Sequence, residues 1–343
     1  MALRSPTTSA RPERQDDSVP EATHSASLTG PRDADHGRTV LGRGVFNRRR
    51  VVWCGVLLGL VVLVSGLDRD AAAPVGGAGL AGTAAPPHSL QTLRLASFNI
   101  HAGRDASGHF DLSRTAATLA GADVVGLNEV RGYWRTASGD QAQHLGALLE
   151  MQWAFAPSER RWWNDCWGNG LLSRHPVRGW QSHPLINTRG KAFRNYILAE
   201  LTLQGRPVQL AVTHVDNFQD HAAQMATIAE LFLSLSEPAV LMGDLNATSD
   251  DPVLARLLAT PGVIDAVAEV EGVDHAGRID WILVRGLRVV AAEVRDDGAS
   301  DHPCLFVELA LEEQQSERRS FTPGSTLAFG PGPEIHREMR RPR

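Results

Sequence analysis

An α+β, four-layer sandwich is the fold the sequence predicts for residues 91–312: two mainly antiparallel sheets face to face, with helices outside. Three observations carry it. Apolar runs of strand length recur throughout that span, helical patterns fall between them rather than replacing them, and the flanks differ from it sharply in composition.

The strands come first. "LRLASFNI" (93–100) is an apolar run ending on Asn99, and "DVVGLNEV" (123–130) is a second, ending at Glu129. Between them "DLSRTAATLAGA" (111–122) has a polar start and reads as a short helix. "GNGLLSRHPV", "PAVLMGDLNA", "RIDWILVRGLRVVAAEV" and "HPCLFVEL" add further strands. "YILAELTLQGRPVQLAVTHVD" reads as two strands meeting at Gly205, an antiparallel hairpin. "HAAQMATIAELFLSL" (221–235) supplies a second helix.

The flanks read differently. Residues 1–50 are rich in Ser, Thr, Pro, Arg and Asp and are expected to be disordered, as is the tail 313–343. "VVWCGVLLGLVVLVSGL" (51–67) is uncharged, apolar and preceded by Arg48, Arg49 and Arg50, the pattern of a transmembrane anchor. The positive-inside rule then puts the N-terminus in the cytoplasm and the folded domain outside it. A cleaved signal peptide, which would leave the domain secreted, is the rival, though 50 residues is a long lead-in for one. A twin-arginine export signal is a third alternative. Residues 68–90, mostly Ala, Gly and Pro, are expected to be a linker.

The 91–312 span holds 18 Arg plus Lys against 27 Asp plus Glu, a net of −9. That argues against a general nucleic-acid binder, since non-specific binding neutralises phosphates, but does not exclude a nuclease that meets phosphate through a metal. Of the three cysteines, Cys54 lies in the apolar run, and no CxxC pair or Cys/His spacing suggests structural zinc.

Apolar strands end on Asn99, Glu129, His214, Asp244 with Asn246, and Asp280, while "SDHP" brings Asp301 and His302 before the last strand. One polar strand end is a turn signal. A repeated set of Asn, Asp, Glu and His is what a metal and phosphate site along one sandwich edge needs.

In order, "SFNIHAG", "GLNEV", "GNGLLSRHPV", "VTHVD", "MGDLNA", "RIDWILV" and "SDHPCLFVEL" resemble the endonuclease/exonuclease/phosphatase superfamily, with its DNase-I-like fold, across residues 93–309. One departure is Asn128, where the family more often has Gln before the metal-binding Glu. The resemblance implies a Mg²⁺- or Mn²⁺-dependent phosphoric ester hydrolase. It implies that Glu129, with Asn99 and Asp301, holds the metal. Asp244 orients or deprotonates the water, and Asn246 donates to a phosphate oxygen. His302, polarised by Asp280, contacts the phosphate or acts as base, with His214 on the other side.

Structural or rim roles are expected for His101 and Arg194, turns for His175 and His183, and a solvated loop for Asp274 and His275. Trp162 and Trp163, beside Arg160 and Arg161, suit a membrane interface or a substrate rim. In the implied fold the segments carrying Cys166 and Cys304 border the active-site edge, so a disulfide is open alongside the plainer reading of two unpaired thiols. The expected activity is that of a monomeric, membrane-anchored, extracytoplasmic phosphodiesterase acting on a lipid head group or small phosphoester. A DNA or RNA nuclease and a non-catalytic binding module on the same fold are the alternatives.

Overall fold

The structure, a computed structural model, describes residues 48–67, 70–83, 91–132, 139–160, 167–188, 193–271 and 277–312. The disorder expected for 1–50 and 313–343 falls outside them, apart from 48–50. So do Trp162, Trp163, Cys166, Asp274 and His275.

Among the described residues, thirteen strands form two large sheets. The first orders β14 (Leu287–Arg295), β15 (Cys304–Leu311), β3 (Leu93–Asn99), β4 (Val124–Arg131), β7 (Trp167–Ser173) and β5 (Gln152–Pro157). The second orders β12 (Ile264–Asp265), β13 (Asp280–Arg285), β11 (Ala239–Asp244), β10 (Arg206–His214), β9 (Asn195–Leu203), β8 (Gly179–Pro184) and β2 (Gly76–Gly77). Among the described residues only β3–β4 and β10–β11 pair in parallel, so both sheets are mainly antiparallel. The expected hairpin joins β9 to β10 through Gln204 and Gly205, with φ of 50° and 79°. Two consecutive positive φ values make the tight turn that suits strand twist.

The layers follow from period-two alternation. Leu95, Val124 and Val307 of the first sheet meet Leu210, Val240, Met242 and Ile282 of the second in the inter-sheet core. Their neighbours face outward: Val125 and Leu127 lie under α2 (Leu112–Thr118) and α3 (Gln141–Leu149). Ala211 and Leu241 lie under α4 (His221–Ser234) and α5 (Pro252–Leu258). Strands covered on both faces become continuous apolar runs, which is how they read in the sequence. Asp111 and Asp251 cap α2 and α5, each accepting two backbone N–H bonds, and a short helix α6 (Ala268–Glu271) follows β12.

Two sequence expectations need correction. Residues 70–82 are not a free linker. β1 (Asp70–Ala71) pairs with β6 (Glu159–Arg160), β2 extends the second sheet against β8, and Ala81 bridges Trp153. Ala72 and Leu80 are buried. The glycines that read as linker are demanded by close backbone approach: a Cβ on Gly76 would lie 2.5 Å from the Trp180 carbonyl. The second correction concerns residues 51–67. They are helical, within α1 (Arg48–Leu67), but among the described residues no helix is long and apolar enough to cross a membrane. The uncharged run of 17 residues rises about 26 Å, at the lower limit of what spans the ~30 Å hydrocarbon core. The structure thus gives no support to the single-pass anchor or to the sidedness derived from it.

Candidate active site

The strand ends converge on one edge. β10 and β11 run in parallel, so His214 stands beside Asp244, and antiparallel β13 sets Asp280 opposite Asp244. β3 and β4, also parallel, bring Asn99 beside Asn128. Gly243 is required where β11 passes β10: its φ is 139°, and a Cβ there would lie 1.9 Å from the Thr213 carbonyl. Just past β3 and β11, and at a bulge inside β4, the backbone turns sharply. His101, Ala102, Glu129 and Asn246 all have φ between 46° and 57°, left-handed values that non-glycine residues rarely take. Such strain is characteristic of functional sites.

Asp244, 2% exposed, is the hub. Its Oδ1 accepts the Asn246 backbone N–H at 2.9 Å, and its Oδ2 accepts from Asn99 Nδ2 at 3.0 Å. His214 Nε2 lies 3.3 Å from Asp244 Oδ2, and Arg194 Nη1 lies 3.2 Å from His214 Nδ1. Because a guanidinium only donates, Nδ1 is the acceptor and Nε2 carries the proton toward Asp244. Burial, with the Arg194 and His302 charges, holds His214 well below its usual pKa, so it is neutral.

His302 is the opposite case. Burial opposes its charge, but the 2.7 Å bond from Nδ1 to Asp280 Oδ2 and the Asp244 and Asp301 carboxylates lift its pKa to about 9. Asp244 is pushed up to about 6 by burial and by Asp280. Two groups whose values are driven apart in this way are suited to opposite proton-transfer roles. With a pKa of about 9 the His302 ring is charged at neutral pH, so both of its nitrogens are donors.

Behind these residues a line of asparagines joins the sheets. Asn128 Oδ1 accepts the Asp244 N–H at 2.9 Å, and Asn128 Nδ2 donates to the Thr213 carbonyl and Asn169 Oδ1, each at 2.8 Å. Asn169 Nδ2 donates to Asn195 O and Oδ1 at 2.9 and 2.7 Å. Asn195 Nδ2 reaches the carbonyls of Ala156 and Pro157 at 3.0 and 2.9 Å. The departure at Asn128 thus sits in a scaffold that fixes the backbone of Asp244.

Two sets of side chains carry ligand chemistry for a divalent cation, of which the first is shown close-set. Asp244, Asp280 and His302 each offer an atom within 4.8 Å of the others. The second set is Glu129, whose carboxylate accepts no hydrogen bond from a described residue, with Asn99 Oδ1 and Asp301. Asn99 Oδ1 also takes the His101 N–H at 3.1 Å, and Asp301 Oδ1 lies 3.4 Å from His101 Nδ1. A protonated His302 is a poor ligand, and hard cations take oxygen donors, which all three members of the second set supply.

Asn99, His214, Asp244, Asn246, Asp280 and His302 are thus brought together, with Glu129 in the cleft beside Arg194 and His214. Asn246 differs from its expected posture. Its left-handed backbone ends the strand alternation, and Nδ2 donates to the Val215 carbonyl at 2.9 Å, leaving one amide proton for a ligand. Cys304 is a buried free thiol whose pKa burial raises, and its considered disulfide partner Cys166 lies outside the described residues. Sequence reasoning missed Asn169 and Asn195 and gave Arg194 a structural or rim role. The short polar interruptions in "GNG" and "RNY" were their only signal.

The model of the Endonuclease/Exonuclease/phosphatase family matches residues 96–302. Among solved structures, the chain is similar to an endonuclease/exonuclease/phosphatase from Beutenbergia cavernae, 24% identical over 64% of this chain and 72% of that one, with a TM-score of 0.52. A Bacteroides vulgatus protein of the same description is 19% identical over 64% and 99%, TM-score 0.52. The human Nocturnin catalytic domain, solved with a bound sulfate anion, is 18% identical over 65% and 96%, TM-score 0.51. At these identities the likeness shows the fold. No curated protein matches the chain.

Proposed function

The chain belongs to the endonuclease/exonuclease/phosphatase family, and from that premise we propose that it is a monomeric, metal-dependent phosphodiesterase of lipid head groups or other small phosphoesters. One observation carries the reading. Asn99 Nδ2 and His302 Nε2, both N–H donors when the ring is charged, lie 3.5 Å apart beside the Asp244 carboxylate. Two donors and one base thus face the same space, as attack of water on a phosphoester requires.

In this reading Asp244 accepts the proton of the attacking water as its oxygen bonds to phosphorus. Asn99 and the remaining Asn246 amide proton hold non-bridging oxygens. His302 gives its Nε2 proton to the departing oxygen as the ester P–O bond breaks, and Asp280 holds the ring in place through Nδ1. Neutral His214 keeps the Asp244 carboxylate oriented. Glu129, Asn99 and Asp301 would hold Mg²⁺ or Mn²⁺, which supplies positive charge to the phosphate oxygens. The preference for small substrates rests on the net charge of −9 over residues 91–312, which disfavours a polyanion.

The test incubates the full chain with Mg²⁺ or Mn²⁺ and bis-p-nitrophenyl phosphate, phospholipid vesicles, inositol phosphates, plasmid DNA or RNA. Hydrolysis of the small or lipid esters, lost in Asp244→Ala and His302→Ala and on adding EDTA, is expected. Plasmid nicking or RNA cleavage with no turnover of the lipid and inositol panel would replace this reading with the nuclease one. No turnover of any substrate would leave the binding module.

A further inference from the structure

Arg194 has no structural duty in proportion to its setting. It stands immediately before β9, half-buried, in the cleft it shares with Glu129, Trp167, Asn169 and His214. Its one hydrogen-bond partner among the described residues is the neutral ring of His214, at 3.2 Å. Nε is buried and bonded to nothing, and no described carboxylate forms an ion pair with the guanidinium. Glu129, Asp244, Asp216 and Glu159 act on it only at longer range. A buried cation normally has an anionic partner, because desolvating the charge without one is costly.

The residue is also held rigidly. The Arg194 carbonyl accepts the Leu185 N–H at 2.8 Å, and Asn195 is tied down by Asn169 and by its bonds to Ala156 and Pro157. The same asparagine line reaches the Asp244 backbone through Asn128. Arg194 and Asp244 are thus fixed to one scaffold, with His214 between them. A pre-positioned planar fork with unspent donors matches a phosphoryl oxygen pair better than any ligand a lysine would select.

We infer that Arg194 is a further catalytic residue, an anion clamp that takes the non-bridging oxygens of the substrate phosphate from the side opposite His302. The inference rests on the phosphoesterase reading for its role in turnover. The clamp itself is testable without turnover.

Calorimetric titration of the full chain with inorganic phosphate reads the clamp directly. Arg194→Gln should weaken phosphate binding roughly 10- to 100-fold and lower kcat/KM for bis-p-nitrophenyl phosphate about 100-fold or more. Arg194→Lys, which keeps the charge but not the fork, should fall between wild type and Arg194→Gln in both. Free guanidinium should restore part of the activity of Arg194→Ala, which a merely structural arginine would not allow. Phosphate binding that is the same in Arg194→Gln, Arg194→Lys and wild type overturns the inference, and so does absence of guanidinium rescue in a folded Arg194→Ala. Arg194-dependent phosphate binding in a chain that hydrolyses no ester would uphold the clamp and sink the phosphodiesterase proposal. Ester hydrolysis indifferent to Arg194 would do the reverse.

Discussion

Replacing Asp280 with Asn keeps the shape of the His302 partner and removes its charge. In the native site, Nδ1 bonds to Asp280 Oδ2 at 2.7 Å, and His302 titrates at about 9 against a usual value of 6.5. That difference corresponds to about 3 kcal/mol favouring the charged ring. Without Asp280 the pKa should return toward 6.5, because burial continues to oppose the charge. At pH 8 a group titrating at about 9 is ~90% protonated, and one at about 6.5 only ~3%, so kcat/KM should drop about 30-fold there. At pH 6 the loss from this cause should be less than about twofold. Asp280 also raises Asp244, so the acid limb, where Asp244 must lose its proton, should move below about 6 as well. The whole bell shifts toward acid. The assay is a kcat/KM profile from pH 5 to pH 10 with bis-p-nitrophenyl phosphate at saturating Mg²⁺. A loss of equal size at every pH, with both limbs in place, would refute the assignment of His302 as the acid.

Further outcomes follow from the same geometry. Gly243→Ala sets a Cβ 1.9 Å from the Thr213 carbonyl at a φ of 139°, so it should destabilise the chain by more than about 2 kcal/mol in urea titrations. Asn128→Leu strands the Asp244 N–H and Asn169 Oδ1, and should cost about 3 kcal/mol while lowering kcat. Cys304, fully buried with a raised pKa, should resist iodoacetamide in the native protein and react only after denaturation, as read by peptide mass.

Most of the strand-end residues were legible because each announces itself locally. An apolar run stops on a polar side chain at Asn99, His214 and Asp244, or opens on one at Asp280, and that reads the same before and after folding. Arg194 and the asparagines were not legible for the converse reason. Asn169 lies inside β7 and gains its meaning only when β9 of the other sheet arrives, a pairing no local pattern encodes. The Ala/Gly/Pro stretch misled because small residues serve both a loose tether and a tight backbone approach, and Gly76 does the second. The fold of α3 was missed, although Asp140 caps it by accepting the Gln143 N–H at 2.8 Å.

The asparagine line also makes the protein a chemical clock. Asn169 is followed by Gly170, the dipeptide in which backbone nitrogen most readily attacks the side-chain amide and releases ammonia. In the folded chain Asn169 is 2% exposed, with its oxygen taken by Asn128 and its nitrogen donated to Asn195. The attack geometry is closed while β7 and β9 stay joined. Aspartate and isoaspartate can accumulate at position 169 only in molecules whose sheets have parted, and each such event leaves a carboxylate where the scaffold needs an amide donor. Ageing at this one position would therefore be self-reinforcing, with the first separation of the sheets making the next one easier.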